Sequence, residues 1–298
     1  MIIVSIFGGL GNQMFQYALG RHLSYMLKTD LKFDTSFNFI RTDFNIEDIP
    51  FIFDIFDVKG ELATESEIKK LKGEGLKRIY NSLYWRWQYL KPFHKQHLIK
   101  ERFFHFDADI FKCSKNTYLH GYWQSEKYFK GIKNLIIEDF QIKKPIELNN
   151  FEIANRINSE ESVSIHLRGR DYIKKEEINK IYFTCDESYY ERCIKTISEK
   201  IQKPHFFIFS DDPEWAKSFL KIDYPFTFVE GNSWNKTNYE DFRLMSMCKH
   251  NIIANSSYSW WAAWLNQNPN KIVIAPQKWF NDKSFNASDL IPEEWIKI

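Results

Sequence analysis

The segment VSIHLRGRD at residues 163–171 decides the fold, because a short apolar run passes directly into a cluster of polar side chains. A run of this length that is rich in branched residues predicts a buried β-strand. The segment HFFIFSDD at residues 205–212 repeats the arrangement, and a segment with helical periodicity follows it. This alternation of strands and helices predicts a parallel sheet covered by helices.

The same alternation continues from about residue 160 to near the end of the chain and predicts a doubly wound α/β domain. One helix joins each predicted strand to the next. The predicted strands are Val163–Arg168, His205–Ser210, Phe226–Val229, Asn251–Asn255 and Lys271–Ala275. The predicted helices are Ser188–Ile201, Pro213–Leu220, Asn238–Lys249 and Tyr258–Leu265.

The N-terminal half opens in the same way, with the apolar strand Ile2–Phe7, the glycine turn Gly8–Gly11 and then a helix. This order predicts a second domain that resembles a nucleotide-binding fold. The helix carries its apolar side chains at helical spacing on one face. The residues on that face are Phe15, Leu19, Leu23 and Met26.

The pattern weakens between Phe37 and Glu126, where we predict the charged helix Glu65–Lys72 and cannot trace the topology. Periodicity breaks again near residues 143–152, which contain Lys-Lys-Pro and Asn-Asn. We therefore predict an N-terminal domain over residues 1–148 and a C-terminal domain over residues 149–298.

The composition allows either one large core or two ordinary cores, since 44% of the 298 residues are hydrophobic, and two domains are the starting hypothesis. No apolar run approaches the roughly 20 residues that span a bilayer, and the N-terminus lacks the pattern of a secretory signal, so we expect a cytoplasmic protein.

The cysteines show neither CxxC pairing nor metal-ligand spacing, which favours buried thiols. They are Cys113, Cys185, Cys193 and Cys248.

The net charge of +2 gives no reason to expect nucleic acid as a partner, yet the charge is unevenly distributed. Between Lys69 and Arg102, ten Lys or Arg residues stand against two Glu residues. Aromatic residues are interleaved with these cations. A solvated helical face is the favoured interpretation, and a docking surface for an anionic membrane or glycan is the alternative. The aromatic residues are Tyr84, Trp85, Trp87 and Tyr89.

Three predicted strands end in polar clusters, and the carboxyl ends of parallel strands share one edge of the sheet, where ligands bind. We therefore predict a binding site at this edge. The first cluster is His166, Arg168, Arg170 and Asp171; the second is Ser210, Asp211 and Asp212; the third is Asn255, Ser256, Ser257 and Ser259.

These residue types suit a nucleoside diphosphate. An arginine can fork onto phosphate oxygens, and the hydroxyls of Ser256 and Ser257 at a helix start can form an anion cradle. The carboxylate of Asp211 can accept paired hydrogen bonds from a guanine edge. Asp212 stands before Pro213, which favours a helix cap.

Five segments resemble the bacterial alpha-1,2-fucosyltransferase family, in the order in which that family carries them. The resemblance runs from residue 8 to APQKWF at residues 275–280, which is most of the chain. The five segments are GGLGNQMFQYA (8–18), GYWQSEKYF (121–129), HLRGRDY (166–172), FSDD (209–212) and NSSYSWW (255–261).

The resemblance implies an α/β fold of GT-B type, with two Rossmann-like domains facing across a cleft. It implies an acceptor-binding N-terminal domain and a C-terminal domain that binds GDP-fucose. The implied reaction is inverting transfer of L-fucose from GDP-beta-L-fucose to the 2-hydroxyl of a terminal galactose, in a beta-galactoside glycan. No metal and no other cofactor is implied.

The family motif His-x-Arg-Arg-x-Asp matches at His166, Arg168 and Asp171, whereas Gly169 replaces the second arginine and Arg170 follows it. The resemblance places Arg168 on the beta-phosphate. Arg170 either substitutes from its neighbouring position or forms an ion pair with Asp171. His166 and Asp171 are alternative candidates for the base that takes the acceptor's proton, and a base in the untraced part of the N-terminal half is a third alternative.

The resemblance also assigns residues from the N-terminal half. Gly11, Asn12 and Gln13 are expected to face the fucosyl diphosphate from the other domain. Tyr122 and Trp123 are expected to stack on the acceptor sugar. Two alternatives stay open: a fucosyltransferase of alpha-1,6 type, and a catalytically weak GDP-sugar or glycan-binding protein. A location at the inner face of the bacterial membrane would follow if the basic aromatic stretch docks there.

Overall fold

The computed structural model describes residues 1–36, 51–73, 83, 86–168, 180–232 and 237–298. The chain forms two compact units: unit 1 is Met1–Lys143 with Ser288–Leu290, and unit 2 is Lys144–Ala287 with Ile291–Ile298. The boundary between the units lies after Lys143, before the boundary predicted after residue 148. The segment between these two positions forms hydrogen bonds with unit 2. Arg243 Nη2 donates to the carbonyl of Lys144 at 2.6 Å.

Unit 1 is built, in its described part, on a five-stranded parallel sheet with the order β3-β2-β1-β5-β4. The strands are β1 (Ile2–Ser5), β2 (Leu31–Asp34), β3 (Glu61–Leu62), β4 (Leu98–Lys100) and β5 (Thr117–His120). The helices are α1 (Leu10–Leu27), α2 (Ile52–Ile55), α3 (Glu65–Lys72) and α4 (Lys133–Asp139).

Helix α1 packs directly on the sheet at a glycine. A Cβ atom on Gly20 would lie 2.3 Å from a methyl carbon of Val4, so only glycine permits this approach. The predicted apolar face is buried except at Met26, which is 40% exposed near the end of the helix. Neither α1 nor any other helix in the described ranges is long and apolar enough to cross a bilayer.

Helix α3 has the predicted bounds, and its start is explained by its sequence. Thr64 and Glu67 form a capping box, in which each side chain accepts a hydrogen bond from the other's backbone N–H. Lys72, at its end, forms a buried ion pair with Asp34 at 2.8 Å. This pair ties the helix to the end of β2.

Unit 2 contains, among its described residues, a six-stranded parallel sheet with the order β11-β10-β9-β6-β7-β8. The strands are β6 (Glu161–Leu167), β7 (Pro204–Ser210), β8 (Phe226–Phe228), β9 (His250–Ile252), β10 (Val273–Ala275) and β11 (Ile296–Lys297). The helices are α5 (Leu148–Ser159), α6 (Glu187–Ser198), α7 (Pro213–Phe219), α8 (Asn238–Met247) and α9 (Ser257–Leu265).

Every strand and helix predicted for the second half is present, with shifted ends. Strand β11 was not predicted, and it pairs with β10 at the sheet edge. Trp260 and Trp261 are fully buried. The four cysteines are buried and carry free thiols. The two parallel sheets confirm the predicted α/β fold class.

Candidate functional site

The sheet of unit 2 places the described residues of the three polar clusters after neighbouring strands. Strand β6 lies between β9 and β7, with Leu167 beside Ser210 and Ile165 beside Ile252. The chain segments that follow these strands therefore leave the sheet side by side. Arg168, Asp211 and Ser256 lie in these segments, at the edge of the sheet where the binding site was predicted.

Arg168 contacts the third cluster directly. Its Nη1 atom donates a hydrogen bond to the hydroxyl of Ser256 at 3.3 Å. Ser256 is 2% exposed and precedes α9, whose first turn begins at Ser257. The guanidinium thus lies at the positive end of a helix dipole, where an anion is stabilised by both charges. This arrangement can bind a phosphate group.

His166 is a buried, neutral histidine beside this arginine. Burial, and then the positive charge of Arg168, lower the pKa of His166 to about 3. Its Nδ1 atom has no hydrogen-bond partner within the described chain, and its ring lies 5.8 Å from the ring of Tyr258. A histidine with so low a pKa is a weak proton acceptor, which argues for a hydrogen-bonding role and against the predicted role as base.

Helix α6 fixes the ends of two of these strands through adjacent tyrosines. The hydroxyl of Tyr190 donates to the carbonyl of His166 at 3.0 Å. The hydroxyl of Tyr189 donates to the carbonyl of Ile253 at 2.7 Å. Both rings are buried, so these contacts hold the strand ends rigidly and thereby position the polar residues that follow.

The two aspartates after β7 have different environments. Asp212 caps α7, with Oδ1 accepting from the N–H of Trp215 at 3.1 Å, as predicted. Asp211, one residue earlier, is half-buried. Across the described ranges, no three His, Cys, Asp or Glu side chains are placed to hold a metal ion.

Asp241 is a buried acidic group of unit 2 that was not singled out from the sequence. Its carboxylate accepts from Asn232 Nδ2 at 2.7 Å, and Asn232 also pairs with Asn150. Burial raises the pKa of Asp241 to about 7. It lies in the first turn of α8, which starts at the carboxyl edge of the sheet because it follows β8. The acidic pair Glu240-Asp241 in that turn was the available signal.

Gly169, Arg170 and Asp171 lie outside the described residues. The roles predicted for Arg170 and Asp171, including the choice of Asp171 as base, therefore stay predictions. The described part of the motif ends at Arg168.

The glycine turn in unit 1 is shaped by a buried glutamine. Gln13 Nε2 donates to the carbonyl of Gly8 at 2.9 Å, while its Oε1 accepts from the N–H of Ile52 at 3.2 Å. Gln13 is completely buried, so its side chain supports the turn and is not presented to a ligand. Gly11 is buried within α1, and Asn12 accepts a bond from Gln124 at 2.7 Å.

A polar row crosses the carboxyl edge of the unit 1 sheet. Ser5 lies beside Asp34 in the strand register, and His120 lies beside Lys100. The Nδ1 atom of His120 lies 3.2 Å from the hydroxyl of Ser5 and joins the two pairs. Burial, followed by the charges of Lys100 and Lys72, lowers the pKa of His120 to about 4. This histidine is therefore neutral at physiological pH.

Glu101 holds the turn that follows β5. Its two carboxylate oxygens accept the backbone N–H groups of Tyr122 and Trp123 at 2.7 and 2.9 Å. Trp123 has a positive φ of 58°, which is uncommon for a bulky residue, so these bonds stabilise a strained turn. Burial raises the pKa of Glu101 to about 7.

The structure corrects the prediction for Trp123, which is only 2% exposed. Its ring packs edge-on against Tyr128 with centroids 5.7 Å apart. The left-handed turn directs it into the core, so it has no free face for a sugar. Tyr122 is half-buried, with its ring tilted against that of Phe7 at a centroid distance of 5.1 Å, and it keeps part of its surface accessible.

The whole chain, residues 1–298, matches the model of Glycosyl transferase family 11. The chain belongs to this family. This family 11 glycosyltransferase is 33% identical to an alpha-1,2-colitosyltransferase of Escherichia coli, over 100% of this chain and 99% of that protein. It is 24% identical to the galactoside 2-alpha-L-fucosyltransferase SEC1 of Bos taurus, over 49% of this chain and 41% of that protein.

A solved structure of an Arabidopsis thaliana FUT1 mutant in complex with GDP has a similar fold. The TM-score is 0.52 at 11% identity, and the match covers 98% of this chain and 75% of that chain. At this identity the similarity concerns the fold alone, and it supports the predicted GT-B type. The predicted glycosyltransferase class is thus confirmed, while the sugar and the acceptor are not decided by these comparisons.

Proposed function

We propose that this glycosyltransferase moves L-fucose from GDP-beta-L-fucose to the 2-hydroxyl of a terminal galactose, with inversion and without a metal ion. The observation that carries the proposal is the contact of Arg168 with Ser256 at the start of α9. The names of two relatives support it: one specifies an alpha-1,2 linkage, and the other specifies fucose and a galactoside.

The donor's diphosphate would bind at the carboxyl edge of unit 2. Arg168 would contact the beta-phosphate, with Ser256, Ser257 and the first N–H groups of α9 completing the cradle. Asp211 would accept hydrogen bonds from the guanine edge.

In the transfer step, the acceptor oxygen forms a bond to the anomeric carbon as the bond from that carbon to the phosphate oxygen breaks. GDP leaves with the electron pair, and Arg168 stabilises the negative charge that develops on it. The acceptor hydroxyl gives its proton to a base. Asp171 is the proposed base, since the low pKa of His166 makes that side chain a poor one. Tyr122 is the proposed contact for the acceptor sugar.

Release of GDP from GDP-fucose in the presence of EDTA tests this function across a panel of beta-galactosides that includes lactose. Acceptor-dependent release, with an alpha-1,2 linkage in the product, is the expected result. An alpha-1,6 linkage in the product would show that the enzyme is a fucosyltransferase with a linkage specificity other than the proposed one. Binding of GDP-fucose without turnover on any acceptor would favour a binding protein, and absence of both would overturn the donor assignment.

A second donor follows from the 33% identity to a colitosyltransferase. Colitose lacks the 3-hydroxyl of fucose, so GDP-colitose and GDP-fucose differ by one hydrogen-bonding group. A site that hydrogen-bonds this hydroxyl rejects the deoxy sugar strongly, whereas an apolar site does not. The ratio of kcat/KM for the two donors, measured with one acceptor, decides between them.

A further inference from the structure

Unit 1 exposes an unusual concentration of large apolar side chains on Leu83 and residues 86–103, which we call the basic aromatic surface. Leu90 is 82% exposed, and Trp87 is 56% exposed. Most proteins expose such residues singly, and a contiguous group marks an interaction site. The exposed apolar residues of this surface are Leu83, Trp87, Tyr89, Leu90 and Phe103.

Buried glutamines hold this surface in a defined conformation. Gln88 is 1% exposed and accepts the N–H of His97 at 3.3 Å. Gln96 is also buried and donates to the carbonyl of Lys91. Because these polar residues face inward, their neighbours in the helical residues 86–90 face outward. The outward apolar side chains are therefore a fixed feature of the fold.

Cations surround the exposed rings. Lys91 Nζ lies 3.0 Å from the centroid of the Trp87 ring, and the Arg102 guanidinium lies 5.0 Å from that of Tyr89. Within residues 86–103 the only acidic residue is Glu101, whose carboxylate is engaged by two backbone N–H groups. The cations are Arg86, Lys91, Lys95, Lys100 and Arg102. The surface is thus strongly positive in a chain whose net charge is only +2.

A cavity of about 380 Å³ opens within this surface, and it combines cationic with apolar walls. Cations at its rim suit a phosphate, while its leucines and tyrosine suit a hydrocarbon chain. Its lining residues are Arg86, Tyr89, Leu90, Gln96, Leu98 and Lys100.

We propose that the basic aromatic surface docks on a bilayer that contains anionic phospholipid. Trp87, Tyr89 and Leu90 enter the headgroup region, where amphipathic rings and leucines are stabilised. Arg86 and Lys100 bind a lipid phosphate at the cavity. The charge selects an anionic membrane over a neutral one, since each cation near such a surface adds attraction. The solvated helical face favoured by composition alone does not explain these outward-facing apolar residues.

Co-sedimentation of the full chain with vesicles tests the proposal. Vesicles of phosphatidylcholine alone are compared with vesicles of equal parts phosphatidylcholine and phosphatidylglycerol. We expect the protein to sediment with the anionic vesicles and to remain in solution with the neutral ones. Binding should weaken as salt is raised, because salt screens the attraction.

Two variants locate the contact, each with a matched control in unit 2. Leu90→Glu and Arg86→Glu should each lower the partition coefficient on anionic vesicles about tenfold. Leu148→Glu is the control for Leu90, since Leu148 is 93% exposed at the start of α5. Arg192→Glu is the control for Arg86, since Arg192 is exposed on α6. Both controls should bind as the unchanged protein does, and all four should retain the thermal unfolding midpoint.

Equal binding to neutral and anionic vesicles, or no binding to either, would overturn the proposal. Binding of the Leu90→Glu variant to anionic vesicles as strongly as the unchanged protein would also overturn the proposal. If that substitution instead converts a dimer to a monomer in analytical ultracentrifugation without affecting vesicle binding, the surface is an interface between two copies of the chain. None of these outcomes depends on the identity of the sugar donor.

Discussion

The Nη1 atom of Arg168 lies 3.3 Å from the hydroxyl oxygen of Ser256, although 88 positions separate the two residues along the chain. The contact joins the segment after β6 to the start of α9. It places a permanent positive charge where the helix dipole is also positive. An anion at this point would be stabilised by the arginine charge and by the helix dipole. Arg168 is therefore the first residue to test.

Arg168→Ala should lower kcat/KM for GDP-fucose about 100- to 1,000-fold. The substitution removes the guanidinium that stabilises the negative charge developing on the GDP leaving group. Arg168→Lys should be intermediate, since lysine keeps the charge but loses the planar fork. Acceptor-dependent GDP release measures both. Arg192→Ala, on the exposed face of α6, is the control and should keep full activity. Full turnover by Arg168→Ala would refute the assigned role.

The adjacent aspartates after β7 should separate binding from stability. Asp211→Ala should weaken GDP binding about tenfold, because a charged hydrogen-bond partner is lost. Asp212→Ala should leave GDP binding unchanged and lower the free energy of unfolding by about 1 kcal/mol, because it removes the α7 cap. Calorimetric titration with GDP and urea unfolding measure the two effects. The reverse pattern would exchange the two roles.

Gly121 should be intolerant of a side chain. An added Cβ would lie 2.4 Å from the Cβ of Glu101, so Gly121→Ala should lower the free energy of unfolding by about 1–3 kcal/mol. Gly9→Ala is the matched control, because nothing lies within 4 Å of an added Cβ there. It should change stability by less than about 0.5 kcal/mol. Equal effects in urea unfolding would show that the turn after β5 is not tightly packed.

Glu101 and Asp241 should each contribute stability that is lost as pH rises toward neutrality, because burial raises the pKa of both carboxyl groups to about 7. The folded state holds these protons more tightly than the unfolded chain, whose ordinary values are 4.5 and 3.8. Their contribution to the free energy of unfolding therefore decreases between about pH 4.5 and about pH 7, whereas the lowered pKa values of His166 and His120 act in the opposite direction over this range. Compared with the unchanged protein, Glu101→Gln should lose less stability, or gain more, on going from about pH 5 to about pH 8, as measured by urea midpoints.

Asp186→Asn gives a control for the pH experiment. Hydrogen bonds from Ser188 and then Tyr189 hold the pKa of Asp186 below its ordinary value of 3.8. Its ionised form therefore stabilises the fold fully above that value, so the substitution should lower the free energy of unfolding equally at about pH 5 and about pH 8. If Asp186→Asn changes the difference between these two pH values as much as Glu101→Gln does, the assignment of these carboxyl groups is wrong.

The sequence predicted unit 2 well because its strands are continuous apolar runs, of which Pro204–Ser210 is the clearest. Unit 1 was harder to predict between residues 37 and 126. Strands β3 and β4 have two and three residues, which is too short for a periodic signal. The same reason explains why β11 was missed. Such short strands form because they pair with neighbouring strands in the sheet. This pairing depends on residues far away in sequence and cannot be read from the strand's own residues.

The proximity of Arg168 and Ser256 was predictable because these residues follow strands whose parallel order was clear. The burial of the Trp123 ring could not be predicted from the sequence, because it depends on the positive φ of the Trp123 backbone. Glu101 was missed for a related reason. Its importance arises from two backbone N–H groups supplied by residues 122 and 123, and a hydrogen bond to backbone has no side-chain signature in sequence.

Residues Ser288–Leu290 belong to unit 1, although the chain on both sides of them belongs to unit 2. Asp289 accepts bonds from the N–H of Phe106 at 3.1 Å and from Lys127 at 2.6 Å. Its carbonyl accepts a bond from Ser125 at 2.7 Å. A gene fragment that stops after Lys143 therefore encodes an incomplete unit 1. Chimeras that exchange N-terminal or C-terminal halves between family members must carry this distant tripeptide with the N-terminal half.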